Sequence, residues 1–241
     1  MLTSSPPTRV ETATEILAAD LARAVGETGC ALPLARRVAE IDDNGSGQGA
    51  VRVTGADVLA PFLLSGRVPD DDDVAVVQAS VRVFPAPAPA AGADPVWSAR
   101  DWALSRVLAR FGVDTSSWDG LAAIDGDPVT GLPALGPAEP WQPWALTLAR
   151  LSSLALPGLD GAARDTALNR RTDLVRGLSR SMLRRDHLTA ARLARWLAMD
   201  AAQLPEPLLA PAVDQLDLLA MDEPRTRLEL AIARHMMQRE S

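Results

Sequence analysis

The stretch that decides the fold is residues 164–195, RDTALNRRTDLVRGLSRSMLRRDHLTAARLAR. On a helix that turns about 100° per residue, Arg176, Arg180 and Arg184 form one stripe, called the arginine stripe below. The apolar side chains fall on the opposite face: Leu168, Leu174, Val175, Leu178 and Met182. This spacing predicts an amphipathic helix with one buried face.

Similar helical patterns surround this stretch. Short Pro- and Gly-containing segments separate them, which predicts antiparallel neighbouring helices in a bundle or a short α-solenoid. The predicted helices cover about 98–111, 141–156, 160–185, 187–200, 206–220 and 223–239.

The N-terminal third has a different pattern and predicts a small α+β unit. Residues 50–54 alternate between apolar and polar side chains, and residues 74–84 are rich in valine, so both segments are predicted strands. Residues 42–49 are predicted to be a loop, and the four aspartates at 70–73 a solvated turn. The fold class is therefore mainly α with this α+β unit at the N-terminus.

A proline- and alanine-rich segment, PAPAPAAGADP at 85–95, is typical of an extended linker. It predicts three parts: an α+β domain at 1–84, a linker at 85–96 and a helical domain at 97–241. Within the last part, residues 112–140 are rich in Gly, Pro and Asp and predict a long irregular loop. Loops of that length are often functional.

The chain contains neither lysine nor tyrosine, and all 24 basic residues are arginine. A GC-rich coding sequence of bacterial type would produce this composition. Schiff-base chemistry, a P-loop lysine and phenol catalysis are excluded. Besides carboxylates, the chain offers only His187, His235 and Cys30 for chemistry near neutral pH. The composition therefore favours binding over catalysis.

Overall charge and cysteine content limit the partners. The net charge of −7 disfavours nucleic acid and anionic membranes. The chain has neither a membrane-spanning apolar run nor a signal-peptide pattern, and one cysteine gives no disulfide framework, so we expect a cytoplasmic protein. The two histidines lack the spacing of a zinc pair, and we expect neither a metal nor a cofactor.

Positive charge is concentrated in residues 164–195. Nine arginines and three aspartates give this segment a charge of +6, so the rest of the chain carries −13. One interpretation is an ordinary solvent-facing helix surface. A second is a surface for an acidic group, either on a protein partner or in the chain's own aspartates at 70–73. A nucleic-acid contact is less favoured, because no exposed aromatic residues are interleaved for base stacking.

Tryptophans form a second candidate site. Five of the six fall within residues 97–144, and Trp141 and Trp144 lie three positions apart at a predicted helix start. They either pack in the core or line a groove for a partner or an apolar ligand, because tryptophan suits places where an apolar surface meets a polar rim.

These patterns leave three hypotheses open. The first is a non-enzymatic adaptor or assembly component that binds an acidic partner through Arg176, Arg180, Arg184, Trp141 and Trp144. The second is a small-molecule-binding protein or enzyme with a carboxylate and tryptophan pocket near residues 112–144, which would use Asp125 or Asp127. The third is a transcription-associated regulator. The sequence specifies neither the partner nor the oligomeric state.

Overall fold

The computed structural model describes residues 8–27, 32–87, 95–122 and 126–239. Within these ranges all regular structure is helical, and no β-strand is present. The helices are α1 (Arg9–Gly26), α2 (Leu34–Ile41), α3 (Ser46–Thr54), α4 (Ala60–Ser65), α5 (Asp71–Val83), α6 (Pro95–Arg110), α7 (Trp141–Arg150), α8 (Ala162–Asn169), α9 (Arg171–Leu183), α10 (His187–Ala198), α11 (Leu209–Leu219) and α12 (Pro224–Arg239). Short 3-10 turns lie at Gly55–Leu59, Pro133–Leu135 and Ser152–Leu154. The prediction of a mainly helical protein is confirmed, but the predicted α+β unit is wrong.

The predicted strand at 74–84 lies in α5. Asp70 caps this helix, because its carboxylate accepts a hydrogen bond of 2.8 Å from the backbone N–H of Asp73. Val77 and Val81 are fully buried and four positions apart, which is a helical spacing. The preference of valine for strands is weak and depends on context, so the cap and the buried face outweigh it.

The four aspartates at 70–73 are not a solvated turn, because they form the cap and first turn of α5. Asp73 is buried, and its Oδ1 accepts a hydrogen bond of 2.8 Å from the backbone N–H of Ala35 at the start of α2. Burial raises the pKa of Asp73 above its ordinary value, although this hydrogen bond opposes the shift. The aspartate run therefore joins α5 to α2.

The predicted strand at 50–54 is also wrong, because it belongs to α3, which begins within the glycine-rich predicted loop. A Cβ at Gly47 would lie 2.7 Å from the backbone oxygen of Val38, and one at Gly49 would lie 3.0 Å from a methyl group of Val10. These glycines allow α3 to pack closely against α2 and α1. Their role is therefore in packing.

Helix α10 is the central element of the C-terminal part, with α7, α9, α11 and α12 packed around it. Trp196 on α10 is buried, and its indole N–H donates to the backbone oxygen of Leu148 at 2.9 Å. On α9, a Cβ atom added at Gly177 would lie 2.9 Å from the Cβ atom of Ala145 on α7. Small residues thus set the close spacing of these helices, as the alanine-rich sequence favours.

The N-terminal and C-terminal parts share one hydrophobic core, which runs from Ala13 to Met236. Helix α1 packs along α12, and α6 packs on the 3-10 turn at Gly55–Leu59. The predicted linker at 85–96 stays a prediction, and residues 88–94 of it lie outside the described ranges. In the described part of the chain, no helix is both long and apolar enough to cross a membrane.

The cap of α5 provides a test of the helical assignment. Replacing Asp70 with Ala removes the side-chain acceptor for the Asp73 N–H, so the free energy of unfolding should fall by about 1 kcal/mol. Urea unfolding followed by circular dichroism measures this change. Asp70→Asn is the matched control, because asparagine caps helices as well as aspartate does. Equal stability of all three proteins would contradict the helical assignment of this segment.

Candidate functional site

A fully buried arginine lies where distant parts of the chain meet. The guanidinium of Arg195 on α10 donates to both carboxylate oxygens of Asp57, at 3.0 and 2.6 Å. It also donates to Glu229 on α12 at 2.8 Å, and its Nε donates to the backbone oxygen of Ala155 at 2.9 Å. Asp57 lies 138 residues from Arg195 in the sequence, so this group, the Arg195 network, joins segments far apart in the chain.

Two further side chains complete the bonding of Glu229. Ser152 Oγ donates to Glu229 Oε1 at 2.8 Å, and Arg192 Nε donates to the same oxygen at 3.1 Å. Burial alone would raise the pKa of Glu229, but Arg195, Arg192 and these hydrogen bonds hold it below its ordinary value. Two arginines therefore balance two carboxylates in the interior, which is the condition for burying charge at tolerable cost.

A second buried ion pair lies between α3 and α6. The guanidinium of Arg52 contacts both oxygens of Asp101, with Nη2 3.0 Å from Oδ2, and its Nε donates to the backbone oxygen of Phe84 at 2.8 Å. Asp101 is fully buried and also accepts from the backbone N–H of Ala122 at 2.8 Å. The carbon of the Arg52 guanidinium lies 5.0 Å from the ring centre of Trp97. This pair joins α3 to α6.

Above the Arg195 network is a small cavity of about 80 Å³. Asp57, Glu229, Ser152 and Ser153 line it together with arginines from four different helices. These arginines define what we call the arginine cavity: Arg100 on α6, Arg150 on α7, Arg192 on α10 and Arg225 on α12.

Positive charge exceeds negative charge in the arginine cavity. Both lining carboxylates, Asp57 and Glu229, are already bonded to Arg195. Among the described residues, no carboxylate lies within ion-pair distance of Arg100 or Arg225. Burial lowers the pKa of Arg100, Arg52 and Arg192 act in the same direction, and Asp57 and Asp101 offset these effects only in part. Arg100 and Arg225 therefore line the cavity without an ion pair in the described part of the chain.

Ser153 adds a polar group without a partner. The residue is 6% exposed, and its hydroxyl oxygen is buried with no hydrogen-bond partner in the described part of the chain. Buried polar groups are nearly always hydrogen-bonded, so such a hydroxyl on a cavity wall indicates a missing acceptor or donor. It lies in the same 3-10 turn as Ser152.

A wider cavity of about 250 Å³ adjoins the first and is called the outer cavity. Its lining includes Trp97 and Val96, together with Arg100, Arg150 and Arg192, three arginines of the arginine cavity. The indole of Trp97 is half-buried, and the Arg100 guanidinium lies 5.9 Å from its ring centre.

The arginine stripe lies where the sequence places it. Arg176 and Arg180 are exposed on α9, Arg184 is exposed directly after its last residue, and Arg176 pairs with Asp173 at 3.1 Å. The Arg180 guanidinium lies 6.0 Å from the ring centre of Trp141. The arginine stripe and Trp141 therefore lie close together.

Trp144 does not belong to an accessible surface. It is fully buried, and the Arg170 guanidinium covers its ring at 4.6 Å. Trp144 is therefore not available to a partner at the surface. At the start of α7 the Trp141 indole is half-exposed, whereas the Trp144 indole, three positions later, lies in the core.

The described part of the predicted pocket near 112–144 includes Asp127. The oxygens of Asp127 accept backbone N–H groups of Val129 at 2.9 Å and Ala162 at 2.7 Å, so this carboxylate stabilises a turn. Asp125 and Cys30 lie outside the described residues. Within the described ranges, no three side chains of the metal-binding types are grouped to hold an ion.

Sequence reasoning missed most of the arginine cavity. Arg192 belongs to the arginine-rich segment, but Arg100, Arg150 and Arg225 are spread over 126 positions and share no motif. Their helices bring them together only in the folded chain.

Comparisons with known proteins add no assignment. No protein-family model, no curated protein and no solved structure matches the chain. The function is therefore argued from the geometry of the site.

The Arg195 network predicts a large effect on stability. Arg195→Met leaves Asp57 and Glu229 buried without their main partner, so the free energy of unfolding should fall by about 3–5 kcal/mol. Urea unfolding measures the loss. Arg195→Lys keeps the charge without the planar donors, so its free energy of unfolding should lie between those of the wild-type protein and Arg195→Met. This variant keeps the prediction testable if Arg195→Met does not fold.

The matched control is Arg176→Met, which removes an exposed arginine paired only with Asp173. Exposed pairs of this kind contribute about 0–1 kcal/mol. Equal losses for the two Met variants would contradict a central role for Arg195.

Proposed function

We propose that this protein binds a small anionic molecule in the arginine cavity. The observation that carries the proposal is that arginines from four helices surround one small space whose carboxylates are already bonded to Arg195. This is a small-molecule-binding function, and its site differs from the pocket that the sequence suggested near 112–144.

The cost of placing like charges together supports an anionic ligand. Two unit charges of the same sign that lie 4 Å apart repel by about 4 kcal/mol where the effective dielectric constant is about 20. Arg100 has no ion-pair partner among the described residues, and its lowered pKa reflects the unfavourable surroundings of its charge. A bound anion would relieve this repulsion, so ligand and protein are mutually stabilising.

The donors fit an oxyanion. Guanidinium groups bind carboxylate and phosphate oxygens through paired N–H donors, which are stronger than bonds between neutral groups. The hydroxyl of Ser153 can donate one more hydrogen bond to an oxygen of the ligand. The recessed position favours a small anion over nucleic acid, which the net charge of −7 would repel.

Binding is favoured over catalysis at this site. Ser152 is hydrogen-bonded to Glu229, which superficially resembles a nucleophile beside a base. Two arginines hold the pKa of Glu229 below its ordinary value, so this carboxylate is a poor proton acceptor near neutral pH. His187 does not line the cavity, and its Nδ1 lies 2.8 Å from Glu223.

The proposal predicts anion-dependent stability. Inorganic phosphate should raise the melting temperature of the wild-type protein, because a ligand present at 100 times its dissociation constant stabilises the folded state by about 2.7 kcal/mol. Arg100→Gln and Arg225→Gln should each weaken phosphate binding roughly 10- to 100-fold, since a hydrogen bond to a charged group contributes about 1.5–3 kcal/mol. Differential scanning calorimetry measures the rise in melting temperature, and isothermal titration calorimetry at fixed ionic strength measures the loss of affinity.

Each variant has a control on the same helix. Arg227→Gln lies two positions from Arg225, and Arg106→Gln lies six positions from Arg100; both residues are exposed and neither lines the cavity. The proposal is overturned if neither phosphate, sulfate nor a carboxylate binds the wild-type protein. It is also overturned if the control variants weaken binding as much as the cavity variants.

A second candidate function is a contact between the arginine stripe and an acidic protein partner, as an adaptor would make. The specific observation is Leu183, which is 86% exposed and, at 100° per residue, lies within about 20° of Arg176 on the same face of α9. An apolar side chain flanked by arginines suits a partner segment that carries both carboxylates and an apolar residue.

This candidate predicts salt-sensitive binding of an acidic helical peptide containing Glu and Leu. Exchanging Arg176, Arg180 and Arg184 together for Glu should abolish the binding and leave the helical circular dichroism unchanged. The control exchanges three exposed arginines elsewhere, Arg82, Arg106 and Arg227, for Glu. Equal loss in both triple variants would attribute the binding to total charge and eliminate the stripe as a specific surface.

A further inference from the structure

We infer that two copies of this chain associate through two turns at one end of their C-terminal helices. The basic turn is residues 183–187, which lead from α9 into α10, and the acidic turn is residues 218–223, which lead from α11 into α12. The basic turn of each copy contacts the acidic turn of the other. This inference rests on the second candidate function, because it names the acidic partner of α9 as a second copy of the chain.

The two turns lie side by side in one copy. His187 is the first residue of α10, and its Nδ1 lies 2.8 Å from Oε1 of Glu223, the residue before α12. This contact joins the end of the basic turn to the end of the acidic turn. Both turns therefore belong to one surface at the same end of the helices.

Exposed apolar side chains are concentrated in these turns. Leu183 is 86% exposed, Leu218 74% and Met221 66%, and Leu219 is exposed as well. A single exposed apolar residue is ordinary, but several in two adjacent turns are typical of a contact surface. Their burial against a second copy would remove apolar area from water and stabilise the association.

The basic turn carries arginines that its own chain does not pair. Arg184 and Arg185 are both exposed, and no carboxylate of the described residues lies within ion-pair distance of either. Asp186 is the one acid of this turn, and it caps α10 by accepting a hydrogen bond of 3.1 Å from the backbone N–H of Thr189. Two arginines and one aspartate leave the turn with a charge of +1.

The acidic turn has no basic residue and carries −2 from Asp222 and Glu223. Asp222 is exposed, and no cation of the described residues lies within ion-pair distance of it. The side chain of Glu223 is 46% exposed, although it contacts His187 and accepts a hydrogen bond of 2.9 Å from the hydroxyl of Thr226. Arg225, three positions after Asp222, lines the arginine cavity instead.

Opposite charges on one surface make it complementary to itself. A two-fold axis that passes between the turns places the basic turn of each copy on the acidic turn of the other, so the same contact forms twice. Each contact joins +1 to −2, and exposed Arg180, one helical turn before Arg184, adds positive charge beside it. An orientation that brings like turns together is disfavoured by repulsion.

The backbone at Arg185 gives independent support for a partner. Arg185 has a φ of 58°, and the N–H of Asp186 donates to the backbone oxygen of Ser181 at 3.0 Å, which is the helix ending that usually has glycine at this position. A side chain in this left-handed conformation is unfavourable. No ion pair within the described chain offsets that cost, whereas a carboxylate of a second copy would.

Sedimentation velocity tests the association. The two turns hold fewer residues than the roughly 20–30 per partner of a stable interface, so we expect a weak dimer. Over about a hundredfold range of protein concentration, the wild-type protein should shift from one chain to two, and added salt should weaken the shift. A single chain at every concentration would overturn the inference. Growth beyond two chains would overturn the two-fold arrangement.

Charge exchange tests which turns meet. Arg184→Glu with Arg185→Glu makes both turns acidic, and Asp222→Arg with Glu223→Gln makes both turns basic, so each double variant alone should remain a single chain. An equimolar mixture of the two should form a one-to-one dimer, because every contact again joins opposite charges. If the wild-type protein dimerises and the mixture does not, the pairing of the two turns is wrong.

The control for total charge is Arg82→Glu with Arg106→Glu, which exchanges two exposed arginines away from the turns. This variant has the same net charge as the first double variant and should dimerise like the wild-type protein. Equal loss of dimer in both would attribute the association to total charge and overturn the role of the basic turn.

Leu183 and Arg185 give two sharper variants. Leu183→Ser should weaken dimerisation at least about tenfold, since both copies lose a buried leucine, whereas Val68→Ser, at a residue 69% exposed elsewhere, should leave it unchanged. Arg185→Gly should raise the melting temperature of the single chain by about 2–4 °C and still weaken dimerisation. Unchanged dimerisation in either turn variant would contradict the contact described above.

The outcomes separate this inference from the function on which it rests. A protein that stays a single chain but binds the acidic helical peptide through the arginine stripe keeps the second candidate function and loses the dimer. A protein that does neither loses both. Phosphate binding in the arginine cavity is measured on the same variants and should not change, because none of the exchanged residues lines that cavity.

Discussion

The buried charge of Arg195 is the constraint on which the rest of the structure depends. A guanidinium without water needs every donor satisfied and its charge balanced, and Asp57, Ala155 and Glu229 meet these needs from three separate segments. The 3-10 turn at Gly55–Leu59, the end of the turn after α7, and helix α12 are thereby held against α10. The alanine-rich packing around α10 brings these segments close, and the Arg195 network fixes their register.

The same network creates the candidate site. Asp57 and Glu229 are both engaged with Arg195, and of the four arginines that line the cavity above them Arg192 also pairs with Glu229. Ser153 then remains buried without a partner in the described part of the chain. Arg195 and Arg192 balance Asp57 and Glu229, and Arg100 and Arg225 line the cavity with no carboxylate of the described residues at ion-pair distance, which is the observation behind the proposed anion site.

Sequence patterns predicted the local features well where one face of one helix was involved. The arginine stripe on α9 and the long irregular segment after α6 follow from spacing and turn residues within a short stretch. Predictions failed where the neighbours decide the outcome. The valines at 74–83 formed a helix because Asp70 caps it and Val77 and Val81 pack inward, and Trp144 entered the core because of the helices that surround it.

By itself, the sequence determined that the protein is mainly helical, that every side-chain cation except the histidines is an arginine, and that lysine and tyrosine chemistry is absent. These properties follow from residue type and local spacing, which need no knowledge of the fold. Only the tertiary structure decided which arginines are buried with carboxylates and which surround an open space. Arg100, Arg150, Arg192 and Arg225 have no local pattern in common, and their proximity is a consequence of how four helices pack.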